Sequence, residues 1–219
     1  MNSNLKKNIA KLFFRNYSPT FERLNNNILF QDMVSNNTIN ISENKLLMKE
    51  AINERINTTI DYLEFGVFEG KSIREWLKLN TSRNSRFFGF DTFEGLPENW
   101  AETKMRGVFD LGGKEPEIND SRVQFFKGLF QETLPLFLDR FEPKNRIVIH
   151  MDADLYSSTL FCLTKLDKIL TKNTIIIFDE FSNLNHEFRA LYDYTRSFYK
   201  KYSVINATKY WEQVAIIIR

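Results

Sequence analysis

Cysteine is almost missing from this chain: Cys162 stands alone among 219 residues, so no disulfide can form within the chain. A reducing, cytoplasmic setting is expected. A dominant charge is missing too, since 30 Lys and Arg against 28 Asp and Glu leave a net +2. That balance gives no broad electropositive field for nucleic acid, which is therefore not expected as a partner. Long hydrophobic runs are absent. Stretches such as "TIIIF" at 174–178 fall far short of the roughly 20 residues a spanning helix needs, so no membrane partner is expected either. The first residues show no basic segment followed by an apolar run and a small-residue cleavage site, which favours a soluble protein. Internal repeats, long linkers and low-complexity tracts are also lacking, and the length suits one large domain. Glycine is used sparingly, and all eight glycines fall between Gly66 and Gly128.

What is present alternates. Five short apolar runs, "DYLEFGV" (61–67), "RFFGFD" (86–91), "VQFFKG" (123–128), "RIVIHMDAD" (146–154) and "TIIIFDEF" (174–181), read as central strands buried on both faces of a parallel sheet. Between them "KSIREWLKL", "FQETLPLFLDRF" and "STLFCLTKLDKIL" carry helical spacing, which makes a doubly wound α/β sheet. Near the C-terminus a helical stretch, "HEFRALYDYTRSFYKKY", precedes "SVINATK" and "EQVAIIIR". The few residues between those last runs permit only an antiparallel hairpin. Residues 1–50 read as a helical and loop extension or cap ahead of a domain at 51–219. The irregular stretch 98–120 has the length of a lid or binding loop.

The chemistry concentrates at strand ends. "YLEFGVFEGKS" places Gly66 and Gly70 in a strand-to-helix turn, where backbone passes close to a ligand beside a helix N-terminus. Its spacing fits neither the pyrophosphate loop of dinucleotide enzymes nor a Walker loop. Asp91 ends the second strand, where a cofactor's ribose hydroxyls would lie; the competing reading is a turn cap. Asp152 and Asp154 end the fourth strand, and Asp179 and Glu180 the fifth. Asp152, Asp179 and Glu180 on adjacent strands would make an oxygen-rich site for Mg²⁺. Carboxylates so close need a cation, a proton or a polar substrate. His150, within a strand, reads as a buried, hydrogen-bonded histidine.

The motifs "YLEFGVFEGKS", "FDTFEGLPENW", "VQFFKGLFQETLP", "HMDADLYSST" and "IIIFDEF", in that order over residues 60–219, resemble the macrocin O-methyltransferase family. That resemblance implies a Rossmann-like class I methyltransferase with a seven-stranded, mostly parallel sheet and an antiparallel C-terminal hairpin. It implies S-adenosylmethionine (SAM) as cofactor, and Mg²⁺ at Asp152, Asp179 and Glu180, the last a departure from the family's Asp-Asp pair. Gly66, Phe68 and Gly70 would form the cofactor loop, Glu64 and Ser72 would meet the ammonium and carboxylate of SAM, and Asp91 would take the ribose. Phe130 and Gln131 would meet the adenine, Phe130 being equally readable as a core aromatic.

The reaction implied is transfer of a methyl group to a hydroxyl of a sugar, or of a glycosylated or nucleotide-linked small molecule. Asp152, which would also border the cofactor, is the expected general base and His186 the alternative. In the lid, Trp100 and Phe109 could stack on a sugar while Lys104, Arg106 and Lys114 could meet phosphates. Trp76 and Trp211 read as core. Relatives of this kind suggest a homodimer. A catechol-type O-methyltransferase and a non-catalytic SAM-binding protein remain open alternatives, and a nicotinamide oxidoreductase is disfavoured by the glycine spacing.

Overall fold

The computed structural model describes residues 27–35, 39–100 and 105–219. The first 26 residues of the extension, and Lys104 of the lid, lie outside them. Helix α1 (Ile28–Ser35), strand β1 (Asn40–Ser42) and helix α2 (Lys45–Ile56) precede β2 (Ile60–Phe65), α3 (Lys71–Leu79), β3 (Arg86–Asp91) and β4 (Val123–Lys127). Then come α4 (Phe130–Leu138), β5 (Arg146–Met151), α5 (Tyr156–Leu166), β6 (Ile175–Phe178), α6 (Glu187–Ser197), β7 (Tyr202–Thr208) and β8 (Val214–Ile218). Among the described residues eight strands form one sheet in the order β1-β7-β8-β6-β5-β2-β3-β4. Every pairing is parallel except those of β8 with β6 and β7. The closing antiparallel hairpin and the mostly parallel sheet are therefore as the sequence indicates, with β1 as an eighth, three-residue edge strand. No helix among the described residues is long and apolar enough to cross a membrane.

Alternation along the central strands explains the two-sided core. Leu63, Phe65, Ile149, Met151, Ile176 and Phe178 face α4, α5 and α6 in one cluster. Tyr62, Val148, Ile175 and Ile177 face α2 and α3 in the other. On the first face the phenylalanines make a row across three strands: Phe90 stacks on Phe65 and on Phe126, each at 4.9 Å between ring centroids. On the second, α3 buries Ile73 and, one helical turn further on, Trp76 and Leu77. Trp76 and Trp211 are both core residues. The sequence reading of β4 as a strand buried on both faces does not hold: its place at the sheet edge leaves it half covered.

Strand order reverses at β2, whose neighbours are β3 on one side and β5 on the other, so a crevice opens where the ends of β2 and β5 part. At its floor the two strand ends nearly touch. The Asp152 amide donates to the Phe65 carbonyl at 2.9 Å, and a methyl group on Gly66, whose φ is +91°, would overlap the Asp152 carbonyl oxygen. Glycine at 66 is thus required first by the backbone of Asp152. Gly66→Ala is expected to lower unfolding free energy by about 3 kcal/mol or more. Gly112→Ala, strained in φ but opening on free space, should cost only about 1 kcal/mol. Urea denaturation of the two variants checks the contrast, and equal losses would contradict it.

Candidate active site

Above this crevice lies a cavity of about 260 Å³. The loop after β2 gives it Gly66 and Phe68, and the end of β3 gives Asp91. Leu129, Phe130 and Gln131 come from the start of α4, Asp152, Ala153 and Asp154 from the end of β5, and Asp179 and Glu180 from the end of β6. Leu96, Pro97, Trp100 and Phe109 of the long loop complete the lining. Of the predicted cofactor residues, Gly66, Phe68, Asp91, Phe130, Gln131 and Asp152 meet at these walls; Glu64, Gly70 and Ser72 do not.

Each absentee has a reason. Period-two alternation turns Glu64 to the same face as Tyr62, against α2 and α3, and pairs it in register with His150. There its Oε2 accepts from the Tyr62 hydroxyl at 2.5 Å, while Oε1 is buried with no partner among the described residues. The Ser72 hydroxyl lies 2.9 Å from His150 Nδ1 and accepts from Lys49 Nζ at 2.7 Å. Gly70 caps α3 in the left-handed region (φ 74°), with Pro116 and Ile118 packed over it.

Asp91 performs the turn-capping role that competed with ribose binding. Its Oδ2 accepts from the amides of Val67 and Phe68, and its Oδ1 from that of Phe93, each at 2.8 Å. A carboxylate offers about four acceptor sites, so roughly one remains for a hydroxyl in the cavity. Phe130 is both wall and core, since its ring also stands edge-on to Phe65 at 5.5 Å.

The acidic rim is organised by His150, which is buried and hydrogen-bonded. Its Nε2 lies 3.3 Å from Asp179 Oδ1, and its Nδ1 lies 3.1 Å from the Tyr62 hydroxyl and 3.9 Å from Glu64 Oε2. Burial alone would pull the imidazole down, but the carboxylates of Asp179 and Glu64 push it up to about 9, which favours the charged form at neutral pH. Burial would raise Asp179, yet His150 and Lys45 hold it well below the usual carboxylate range. Lys45 Nζ, from the first turn of α2, donates to Asp179 Oδ2 at 2.5 Å, and Gln213 of the β7–β8 turn donates to Oδ1. Asp152 goes the other way: burial and the Asp179 charge raise its carboxyl well above that range.

Donor atoms of His150, Asp152 and Asp179 lie within 4.8 Å of one another, and Glu180 is not in this group. As a metal site the set does not fit. His150 Nε2 faces Asp179 Oδ1, and the two Asp179 oxygens already accept from Lys45 and Gln213. Glu180 instead has its amide fixed by buried Glu187 Oε2 at 2.9 Å. Lys45, Glu187 and Gln213 escaped the sequence reading; the one local signal was a lysine opening a helix against its dipole. His186 is half-buried outside the cavity walls, with its ring 6.2 Å from that of Trp100. Burial lowers its basicity, and its Nδ1 has no partner among the described residues. Arg106 and Lys114 are exposed and not among the cavity walls.

The fold and this rim define an α/β protein with its site at the switch point, and the chain belongs to a methyltransferase family: a family model described as a methyltransferase domain matches residues 63–181. A curated relative from Streptomyces olivaceus, 8-demethyl-8-(2,3-dimethoxy-alpha-L-rhamnosyl)-tetracenomycin-C 4'-O-methyltransferase, is 30% identical over 158 residues, 60% of this chain and 59% of its own. Demethyldecarbamoylnovobiocin O-methyltransferase from Streptomyces niveus is 26% identical over 164 residues, 63% of this chain and 61% of its own. The matched stretch therefore spans about three fifths of each curated relative. The solved structure of the O-methyltransferase NovP overlays with a TM-score of 0.61 at 22% identity, covering 78% of either chain, which establishes the shared fold.

The His150 cation makes a stability prediction. Its folded pKa, about 9, lies above an unfolded value of about 6.5. The stabilisation is therefore fully present below that unfolded value and is lost as pH rises through the folded one, on the order of 3 kcal/mol in all. Denaturation of wild type and His150→Gln at pH values spanning this window should show the gap between them closing as pH rises. A constant gap would contradict the charged imidazole.

Proposed function

We propose that the protein is a SAM-dependent O-methyltransferase acting on a hydroxyl of a sugar or of a sugar-bearing small molecule. The observation that carries this reading is the position of Asp152, a carboxyl of raised basicity in the wall of a cavity at the switch point of a methyltransferase fold. The motif order supports a macrocin-type enzyme within that class, and the rhamnosyl group in the name of one relative supports a sugar acceptor.

The residues fit SAM. Gly66 brings the backbone to the cavity, Phe68, Leu129 and Phe130 offer apolar surface for the adenine, and Gln131 adds a polar end. Asp91 keeps one acceptor site for a ribose hydroxyl. When bound, SAM supplies a methyl group on a positively charged sulfur, which an oxygen nucleophile takes as the carbon–sulfur bond breaks.

The chain's task is then to align the acceptor hydroxyl and remove its proton. Asp152 takes that proton: Asp179 is neutralised by Lys45 and His150, leaving Asp152 as the more basic member of the pair. Trp100 and Phe109 provide flat apolar surface in the same walls as the acids, a combination suited to a sugar ring. No Lys or Arg stands among the described wall residues, whereas five carboxylates do: Asp91, Asp152, Asp154, Asp179 and Glu180. An acceptor free of phosphate suits such walls, and Mg²⁺ assistance does not enter this reading. His186, kept neutral by burial, is the second candidate for proton removal.

Transfer of labelled methyl from SAM to a panel of rhamnosides and other 6-deoxyhexosides tests the reading. Asp152→Asn should lower kcat by roughly 10² to 10⁴. The wild-type rate should climb with pH through the raised pKa of Asp152, because the proton must leave before the carboxylate can act, and that limb should vanish in the variant. Turnover of Asp152→Asn within a few-fold of wild type, with His186→Ala strongly impaired, would move the base to His186.

A further inference from the structure

Lys45 stands where local physics disfavours it. It is the first residue of α2, whose first turn holds no acid, and a cation there opposes the helix dipole by about 0.3–1 kcal/mol. The position is nevertheless held firmly. The Asn44 side chain caps the helix by accepting from the Leu47 amide at 2.9 Å, and Met48, Lys49, Ile52 and Ile56 anchor the helix in the core. The first turn therefore aims Lys45 Nζ at Asp179 Oδ2, 2.5 Å away and 134 positions along the chain.

We propose that Lys45 is the resident cation of the acidic rim, its ammonium standing in for a divalent ion so that the Asp152–Asp179 pair works without metal. A hard ion such as Mg²⁺ needs carboxylate oxygens at about 2.0–2.1 Å and free of competing positive charge. Here Oδ2 accepts from Lys45, and Oδ1 accepts from Gln213 and faces His150. Glu180, which would complete an all-carboxylate set, lies outside the cluster. An ammonium on a jointed stem delivers one positive charge to Asp179 and leaves Asp152 free to take a proton.

The occupancy is independent of the O-methyltransferase reading; only its consequence, turnover without metal, rests on that reading. The test is Mn²⁺ titration of the full chain, with free ion followed by its paramagnetic resonance signal. Wild type and Lys45→Arg should leave Mn²⁺ free, while Lys45→Ala, relieved of a unit charge beside Asp179, should bind one ion per chain at least roughly ten-fold more tightly than wild type. The Ala variant should lose that gain when combined with Asp179→Asn, which places the ion at the rim. Tight Mn²⁺ binding by wild type, or no gain in Lys45→Ala, would overturn the proposal. In the transfer assay, wild-type turnover unchanged by a chelator agrees with it, and loss that Mg²⁺ restores contradicts it. Failure to bind S-adenosylhomocysteine would sink the functional reading while leaving the Mn²⁺ result to decide the role of Lys45.

Discussion

A buried imidazolium holds the working end of this sheet together. His150 on β5 is ringed by Glu64 on β2, Ser72 on α3, Asp179 after β6 and Gln213 beside β8, so one side chain ties four strands and a helix at the rim where the crevice opens. Two carboxylates and a cation at such depth are tolerable only because each compensates the other's desolvation. Removing the imidazole would take the shared partner from both carboxylates, and Asp179 would keep Lys45 and Gln213 alone.

The same arrangement sorts the two rim acids. Asp179 is surrounded by donors and stays ionised; Asp152, one strand away, has the repulsion without the donors and becomes the basic partner. Two carboxyls of one residue type thereby acquire different roles from environment alone. The strand-end geometry contributes as well, since the Gly66–Asp152 approach fixes where the Asp152 backbone lies, and Asp154 follows in a left-handed conformation (φ 58°) that non-glycine residues rarely adopt.

Much of the fold was legible because central strands buried on both faces must be apolar nearly throughout. "IDYLEF" and "IIIF" announce themselves, and "KSIREWLKL" coincides with α3. The edge position of β4 was not legible, because pairing order is a tertiary property, and three residues of β1 carry no pattern at all. At the site, the strand-end acids and the aromatic loop residues were visible as a concentration of chemistry. The inward turn of Glu64 could have been counted from the alternation of Tyr62 and Glu64; its register with His150 could not. Lys45 shows only an oddity of capping, since its partner is fixed by the fold.

Hydrogen–deuterium exchange with and without saturating S-adenosylhomocysteine tests the central claim most directly, because it reports both binding and place. The account predicts slowed exchange in the β2 loop from Gly66 to Gly70, in the segment after Asp91 and at Leu129–Gln131, with α1 unchanged. Absence of any protection, or protection confined to surfaces away from the β2–β5 crevice, would contradict it.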